Sequence, residues 1–284
     1  VIPAPFDYVA PSTVDEAIRA LSEAGEDAKL IAGGQSLLPV LRLRMAAPTT
    51  LIDLGRISEL RGVRDDGDAI VIGATTTHHE VMRDPLIADH AELLAKATAT
   101  VADPQVRHRG TFGGSLAHAD PAGDLLAPTL ALDAEMVVRG MDGTRTVPAA
   151  EFFSDFFTTA LAPDEILVEV RVPKHTAWRA HYEKFNRVAQ AWSIVAVAAT
   201  VRTEGGTIAE ARIGLTNMAS VPVRARAVEE ALVGQPATEE AIRAAAERAA
   251  EGTSPTTDSN ADAEYRQHLA RVLTGRALTT AVTV

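Results

Sequence analysis

The stretch Lys29–Leu30–Ile31–Ala32–Gly33–Gly34–Gln35–Ser36 is a short apolar run that stops at two consecutive glycines and two small polar residues. Bounded in this way, it reads as a strand ending in a bend. Paired glycines let a backbone adopt φ > 0 and approach a ligand closely, so successive N–H groups can converge on an anion such as a pyrophosphate. A lone Gly–Gly pair after a strand is more often a plain turn. Here a second pair follows in Thr111–Phe112–Gly113–Gly114–Ser115, again with hydroxyl neighbours. Neither segment fits G-x-G-x-x-G or G-x-x-x-x-G-K-[ST], which argues against a Rossmann or P-loop site. Two backbone cradles, with Lys29, Arg42 and Arg44 as nearby cations, are the leading candidate for binding.

Outward from the first bend, Thr13 and Glu16 match a capping box that opens an amphipathic helix over 14–24, ended by Gly25. The spacing predicts a helix over 37–45, strands over 50–54 and 69–73, and a helix over 90–99 that Ala102–Asp103–Pro104 stops. An Ala- and Leu-rich helix is expected after Pro121, then a hairpin pairing 135–139 with 144–147. Residues 166–172 alternate cleanly and should form a half-buried strand closed by Pro173. Beyond it come long strands over 193–203 and 207–216, then helices over 223–232, 238–252 and 261–273 before a short tail. The Ser-, Thr- and Pro-rich 253–260 is expected to be a mobile loop. The fold expected is mixed α/β of the α+β class. An N-terminal domain over 1–173 consists of two α/β subdomains that divide near 55–60, and a C-terminal domain over 174–284 combines an antiparallel sheet with helices.

Composition narrows the function. A formal charge of −11 argues against nucleic-acid or anionic-membrane binding, both of which rely on cationic surface. With no cysteine, the chain can ligate neither an iron–sulfur cluster nor a thiolate zinc site, so any such centre belongs to another polypeptide. No apolar run approaches a membrane span, and the first ten residues lack the pattern of a signal peptide. The expected compartment is the cytoplasm, with peripheral attachment to the inner face of the membrane as the second possibility. A start at Val1 in place of Met implies that one or more residues precede it.

Other candidates have bland readings. His78–His79 lacks a third ligand at useful spacing and reads as a surface turn, and Arg107–His108–Arg109 reads as a solvated basic face. Asp120 and Asp124, four apart, suit the first turn of a helix, Lys184 a solvated charge, and Trp192 a core position. No nucleophile–base pair, carboxylate pair or metal cluster stands out, so neither catalytic nor metal-ligating residues are expected.

Along essentially its whole length the sequence resembles the FAD-binding medium subunits of the molybdenum hydroxylases, the family of xanthine dehydrogenase and aerobic carbon monoxide dehydrogenase. The resemblance rests on residues 29–38, Leu51–Ile52–Asp53–Leu54, Gly73–Ala74–Thr75–Thr76, Arg109 to Ser115, Ala119–Asp120–Pro121–Ala122–Gly123–Asp124, Glu165–Ile166–Leu167 and residues 184–192. It implies a PCMH-type FAD-binding domain followed by a flavoprotein C-terminal domain. It further implies that Ala32, Gly33, Gly34, Gln35 and Ser36, with Thr111, Gly113, Gly114 and Ser115, hold the FAD pyrophosphate without a covalent link, flanked by Lys29 and Leu37. Asp124 matches an acid near the ribityl and phosphate part of the flavin, with Asp120 in the same stretch. Leu167 matches an apolar cofactor contact, Lys184 a lysine near the flavin, and Trp192 an aromatic beside the isoalloxazine ring. The sequence departs from the family pattern at Phe112, usually Ile or Val, at Ser115, often Asn, and at Ala191, often acidic.

The implied role is electron transfer. Electrons released at a molybdenum cofactor on a large subunit pass through [2Fe–2S] clusters on a small subunit to this FAD and on to an acceptor such as a quinone, in a dimer of heterotrimers. Carbon monoxide is the favoured substrate of the complex. Alternatives are an aldehyde, nicotine- or quinoline-type or hydroxybenzoyl-CoA substrate, a stand-alone flavin oxidase, or an assembly protein that has lost its cofactor.

Overall fold

The computed structural model describes residues 2–283; Val1 and Val284, at which the two expected domains begin and end, lie outside the described residues. The helix Val14–Ala24 forms as the pattern dictates, burying Val14, Ala17, Ile18 and Leu21 on one face. Its cap is half of the expected box. Thr13 accepts the N–H of Glu16, but the Glu16 carboxylate reaches past Thr13 to the N–H and hydroxyl of Ser12. A complete capping box occurs instead at Thr77 and Glu80.

Among the described residues three larger sheets organise the fold, beside a two-stranded ribbon of Phe153–Asp155 and Thr158–Thr159. The first is parallel and small: Thr50–Asp53 lies between Asp7–Val9 and Ala28–Ile31. It shares one core with the helix Val14–Ala24, including Ile52, Leu54, Ile57 and Leu60. The second has five antiparallel strands in the order Val63–Asp66, Ala69–Gly73, Ile166–Pro173, Glu135–Gly140 and Gly143–Pro148. Ala69–Gly73 is buried throughout, as its unbroken apolar run requires of an interior strand. The third has four strands in the order Arg179–Phe185, Val195–Glu204, Thr207–Thr216 and Val223–Arg224.

That third sheet is covered on both faces. Val195, Val197, Ala199 and Val201 point to one side, into a core shared with Leu269, Leu273, Ala277 and Leu278 of the helix Ala263–Thr283. The alternate residues Ala180, Tyr182, Ala196 and Ala198 point to the other, into the core of the five-stranded sheet and the helix Leu126–Ala131. At Gly214 the approach is so close that an added Cβ would lie 2.3 Å from the Ala127 carbonyl oxygen.

Several elements differ from expectation. The helix over 90–99 is two, Pro85–His90 and Glu92–Ala99, broken at Ala91, whose φ −147° and ψ 48° are not helical. The helix after Pro121 is confined to Leu126–Ala131, because the Asp120 carboxylate first accepts the Ala122 N–H in a turn. The helix over 37–45 stops at Arg42. Residues 223–224 are a strand preceding the helix Arg226–Leu232. The last helix runs to Thr283 where a tail was expected, because its burial against the third sheet continues through Ala277, Leu278 and Ala281.

Candidate functional site at the glycine bends

The two glycine segments, nearly eighty residues apart in sequence, meet in space. A Cβ on Gly33 would stand 2.2 Å from the Arg109 carbonyl oxygen and 2.7 Å from the Gly110 Cα, so the first bend lies directly against the residues that lead into the second. Only glycine allows that approach. Among the described residues, no hydrogen bond reaches the N–H groups of Gly33, Gly34, Gln35 or Ser36. These four amides are available to a ligand, and the Gln35 side chain folds back to donate to the Gly33 carbonyl at 3.1 Å.

The second segment is built differently from the bend that the sequence suggests. Thr111 is the N-cap of a helix, Phe112–His118, and Gly113 and Gly114 lie in its first turn. The Phe112 and Gly113 N–H groups donate to the Thr76 and Ala74 carbonyls, both at 2.9 Å, and Gly114 N–H donates to the Thr111 hydroxyl. The Phe112, Gly113 and Gly114 amides are therefore committed inside the protein, so the second segment does not offer a row of free amides as the first does. The first bend supplies the free donors and the second supplies a close-packed wall. Gly113 is glycine for that reason: a Cβ would lie 2.5 Å from the Ala74 Cβ. Gly114 and Ser115 are the members of this turn that reach the surface, whereas Thr111 is buried.

Behind the wall sits His78, 5% exposed, against the face of Gly110 where a Cβ would come within 2.8 Å of its ring. Burial, reinforced by the Arg107 guanidinium, pushes its imidazole down to about 4, so the ring is neutral at physiological pH. The reading of His78–His79 as a surface turn fails for His78. Its neighbour His79 stacks on His108 with centroids 3.9 Å apart. Among the described residues, no group of three His, Cys, Asp or Glu could hold a metal.

Lys184 and Asp124 form a second centre. Lys184, whose side chain is 7% exposed, donates to Asp124 Oδ2 at 2.7 Å and to the Thr100 carbonyl at 3.3 Å. Asp124 Oδ1 accepts the Tyr182 hydroxyl and the Ser193 hydroxyl, each at 2.9 Å. Burial pushes the Asp124 carboxyl up, opposed by Lys184, Ser193 and Tyr182. Three donors thus converge on Asp124 from the C-terminal domain, and the solvated-charge reading of Lys184 is wrong. An ammonium has three N–H donors, so Lys184 keeps one for a ligand.

The remaining candidates separate into two groups. Lys29 is exposed on an edge strand of the small sheet, and Ala32, Ser36 and Leu37 are half-buried around the first bend. Trp192 is 55% exposed, which excludes the core reading, and with Asp120 it lines a cavity of ≈ 540 Å³ that Arg187, Asn217, Asp258 and Arg266 also border. Leu167 does not join them. It is packed in the core of the five-stranded sheet at a bulge between Leu167 and Glu169. Sequence reasoning misread His78 as a surface residue and missed Tyr182, Ser193, Asn217 and Arg266. Only the run Thr75–Thr76–Thr77–His78, matched in part by the family resemblance, offered a signal for any of them.

Residues 4–175 match the FAD binding domain in molybdopterin dehydrogenase, and residues 180–281 match the CO dehydrogenase flavoprotein C-terminal domain. The chain is 42% identical over 284 residues to the carbon monoxide dehydrogenase medium chain of Hydrogenophaga pseudoflava, covering 99% of this chain and 98% of that protein. It is 37% identical over 283 residues to the 6-hydroxypseudooxynicotine dehydrogenase complex subunit alpha of Paenarthrobacter nicotinovorans, covering 99% and 95%. Its fold superimposes on a solved structure of carbon monoxide dehydrogenase from Hydrogenophaga pseudoflava with a TM-score of 0.96 and 44% identity, covering 100% of this chain and 99% of that one.

Proposed function

From the premise that this chain belongs to the family of FAD-binding subunits of the molybdopterin dehydrogenases, we propose that it holds one FAD non-covalently as the medium subunit of a carbon monoxide dehydrogenase. The observation that carries the reading is the junction of Gly33 with Arg109 and Gly110, which leaves four first-bend amides free beside a close-packed helix start. In a protein of net charge −11, neutral backbone donors are a suitable means of binding a diphosphate. Gly33, Gly34, Gln35 and Ser36 would donate to the pyrophosphate, with Ala32, Leu37, Thr111, Gly113, Gly114 and Ser115 closing around it and Lys29 adding charge at the rim. Lys184 would offer its remaining N–H toward the flavin, held in place by Asp124. Trp192, on an exposed loop with Asp120 across the same cavity, would flank the ring.

Bound FAD supplies the capacity to take up electrons one at a time and release them in pairs. The chain's own part is to orient that group and exclude a substrate reaction. With no cysteine it depends on a small iron–sulfur subunit to bring electrons in, and on a large molybdopterin subunit where CO and water become CO2, two electrons and two protons. A quinone or similar acceptor would take the electrons out. The complex would be a dimer of these heterotrimers, in the cytoplasm or at the inner face of the membrane; no helix of the described residues is long and apolar enough to cross a membrane. The similarity to the 6-hydroxypseudooxynicotine dehydrogenase subunit supports the alternative of an organic substrate with the same electron path.

Two measurements test this. Acid precipitation of the purified chain should give a colourless pellet and a yellow supernatant, whereas a protein that stays colourless with added FAD would refute the cofactor assignment. The native complex should reduce an artificial dye with CO; an intact cofactor set without dye reduction would transfer the assignment to an organic substrate.

A further inference from the structure

The loop over 186–193, which carries Trp192, is exposed at its tip and bound tightly at its base. Ile194 N–H closes it by donating to the Phe185 carbonyl at 2.8 Å. Three side chains from three different elements then meet at Ser193 and Ile194. The Ser193 hydroxyl donates to Asp124. Asn217, in the left-handed region at φ 62°, donates through Nδ2 to the Ser193 carbonyl at 2.9 Å and the Ile194 carbonyl at 3.2 Å, while its N–H holds the Pro121 carbonyl at 2.9 Å. Arg266 of the last helix donates through Nη1 to the Ile194 carbonyl.

Arg266 is the unusual member. It is 1% exposed, the largest fully buried side chain among the described residues. Its Nη2 pairs with Asp258 at 2.7 Å, and its Nε has no partner among the described residues. A guanidinium in such a place is costly to desolvate, and helix-to-sheet packing alone would be served as well by an apolar side chain. What an apolar residue could not do is fix a carbonyl and at the same time fasten the 253–260 loop. Asp258 also accepts the N–H groups of Asn260 and Ala261, at 2.8 and 3.1 Å, so that loop, expected to be mobile, is pinned. Both members of the pair border the cavity that Trp192 lines.

We infer that Arg266, oriented by Asp258, is a positioning residue that sets where Trp192 stands over its cavity, so that the C-terminal helix determines the contact between this aromatic and the flavin. The inference rests on the FAD reading for the flavin contact and on the geometry alone for the loop. The chain has two tryptophans, so a full-length Trp178→Phe parent makes Trp192 the sole emitter. In that parent, without FAD, the Trp192 anisotropy decay reports loop motion. With FAD, quenching of Trp192 at saturation reports the flavin contact, and flavin fluorescence reports affinity at the glycine bends.

Arg266→Met should speed the anisotropy decay and remove most of the quenching while FAD still binds, because the bends are untouched. Arg266→Lys, which can keep the bond to the Ile194 carbonyl, should restore much of both signals. Asp258→Asn, a milder change at a half-exposed residue, serves if Arg266→Met does not fold, and should shift both signals in the same direction. Decay and quenching identical to the parent in the folded variants would overturn the inference. A reciprocal Trp192→Phe parent, with Trp178 as reporter, should show no change, and a matching change there would overturn it in favour of general loosening. A parent that binds no FAD defeats the functional reading instead and leaves the decay measurement to stand on its own.

Discussion

Replacing Gly33 by alanine tests the junction on which the site depends. The new Cβ would lie 2.2 Å from the Arg109 carbonyl oxygen, against the 3.4 Å at which ordinary contact begins, so the bends must part by about 1.2 Å. The obstructing atoms are backbone, and no side chain can swing aside. Overpacking of this kind costs about 1–3 kcal/mol. The strain has two outlets. If the bends stay together, it appears as lost stability; if they separate, it appears as lost affinity, which at 1.4 kcal/mol per tenfold corresponds to roughly 5- to 150-fold weaker FAD binding. A titration of FAD against the full chain, followed by flavin fluorescence, and a thermal melt without FAD measure the two outlets together. Gly33→Val and Gly113→Val should go further and prevent FAD uptake while most of the protein remains folded. Unchanged affinity and unchanged melting in Gly33→Ala would refute both the contact and the assignment of the phosphate site to it.

Other outcomes follow from the buried polar groups. His78 has a folded pKa pushed below its ordinary value of 6.5 to about 4, so the unfolded chain binds the extra proton first; stability should fall by roughly 3 kcal/mol as pH drops from 6.5 to 4. Urea midpoints across that window should be flatter for His78→Gln, and parallel pH curves would contradict the neutral buried ring. Lys184→Met leaves Asp124 with two neutral donors in a buried site and should cost about 3–5 kcal/mol, part of which Asp124→Asn in the same chain recovers; a double variant no more stable than the single one would deny the pairing. Gly275→Ala lies in the last helix, where the new Cβ meets only the Ala246 Cβ at 3.7 Å, and should gain up to about 1 kcal/mol of helix propensity, read as a raised Tm.

The elements legible in the sequence are those whose information is local. The strands Ala69–Gly73 and Thr207–Thr216 and the hairpin at Met141–Asp142 follow from apolar runs, alternation and turn residues, each complete within a few positions. The helix Phe112–His118 is not legible in this way, because two glycines in its first turn oppose helix formation and only the wall at Ala74 and Thr76 makes the conformation favourable. Lys184 and Arg266 were unreadable for a related reason. Each is buried by partners about sixty to seventy residues away, and a charged residue considered alone defaults to solvent. The first bend was read correctly as a bend; that its amides are free and those of Phe112, Gly113 and Gly114 are spent depends on how distant segments pack.

The sheet buried on both faces has a consequence for synthesis and repair. During translation the apolar flank of Leu126–Ala131 is made well before the strand Thr207–Thr216 that covers it, and Val195 and Val197 wait in turn for the helix Ala263–Thr283. A nascent chain that has not reached Thr207 would therefore leave the Leu126–Ala131 flank uncovered, and one that has not reached Ala263 would leave Val195 and Val197 uncovered, species that chaperones retain and proteases remove. Quality control would then depend on the helix Ala263–Thr283, the same element whose Arg266 borders the cavity that Trp192 lines.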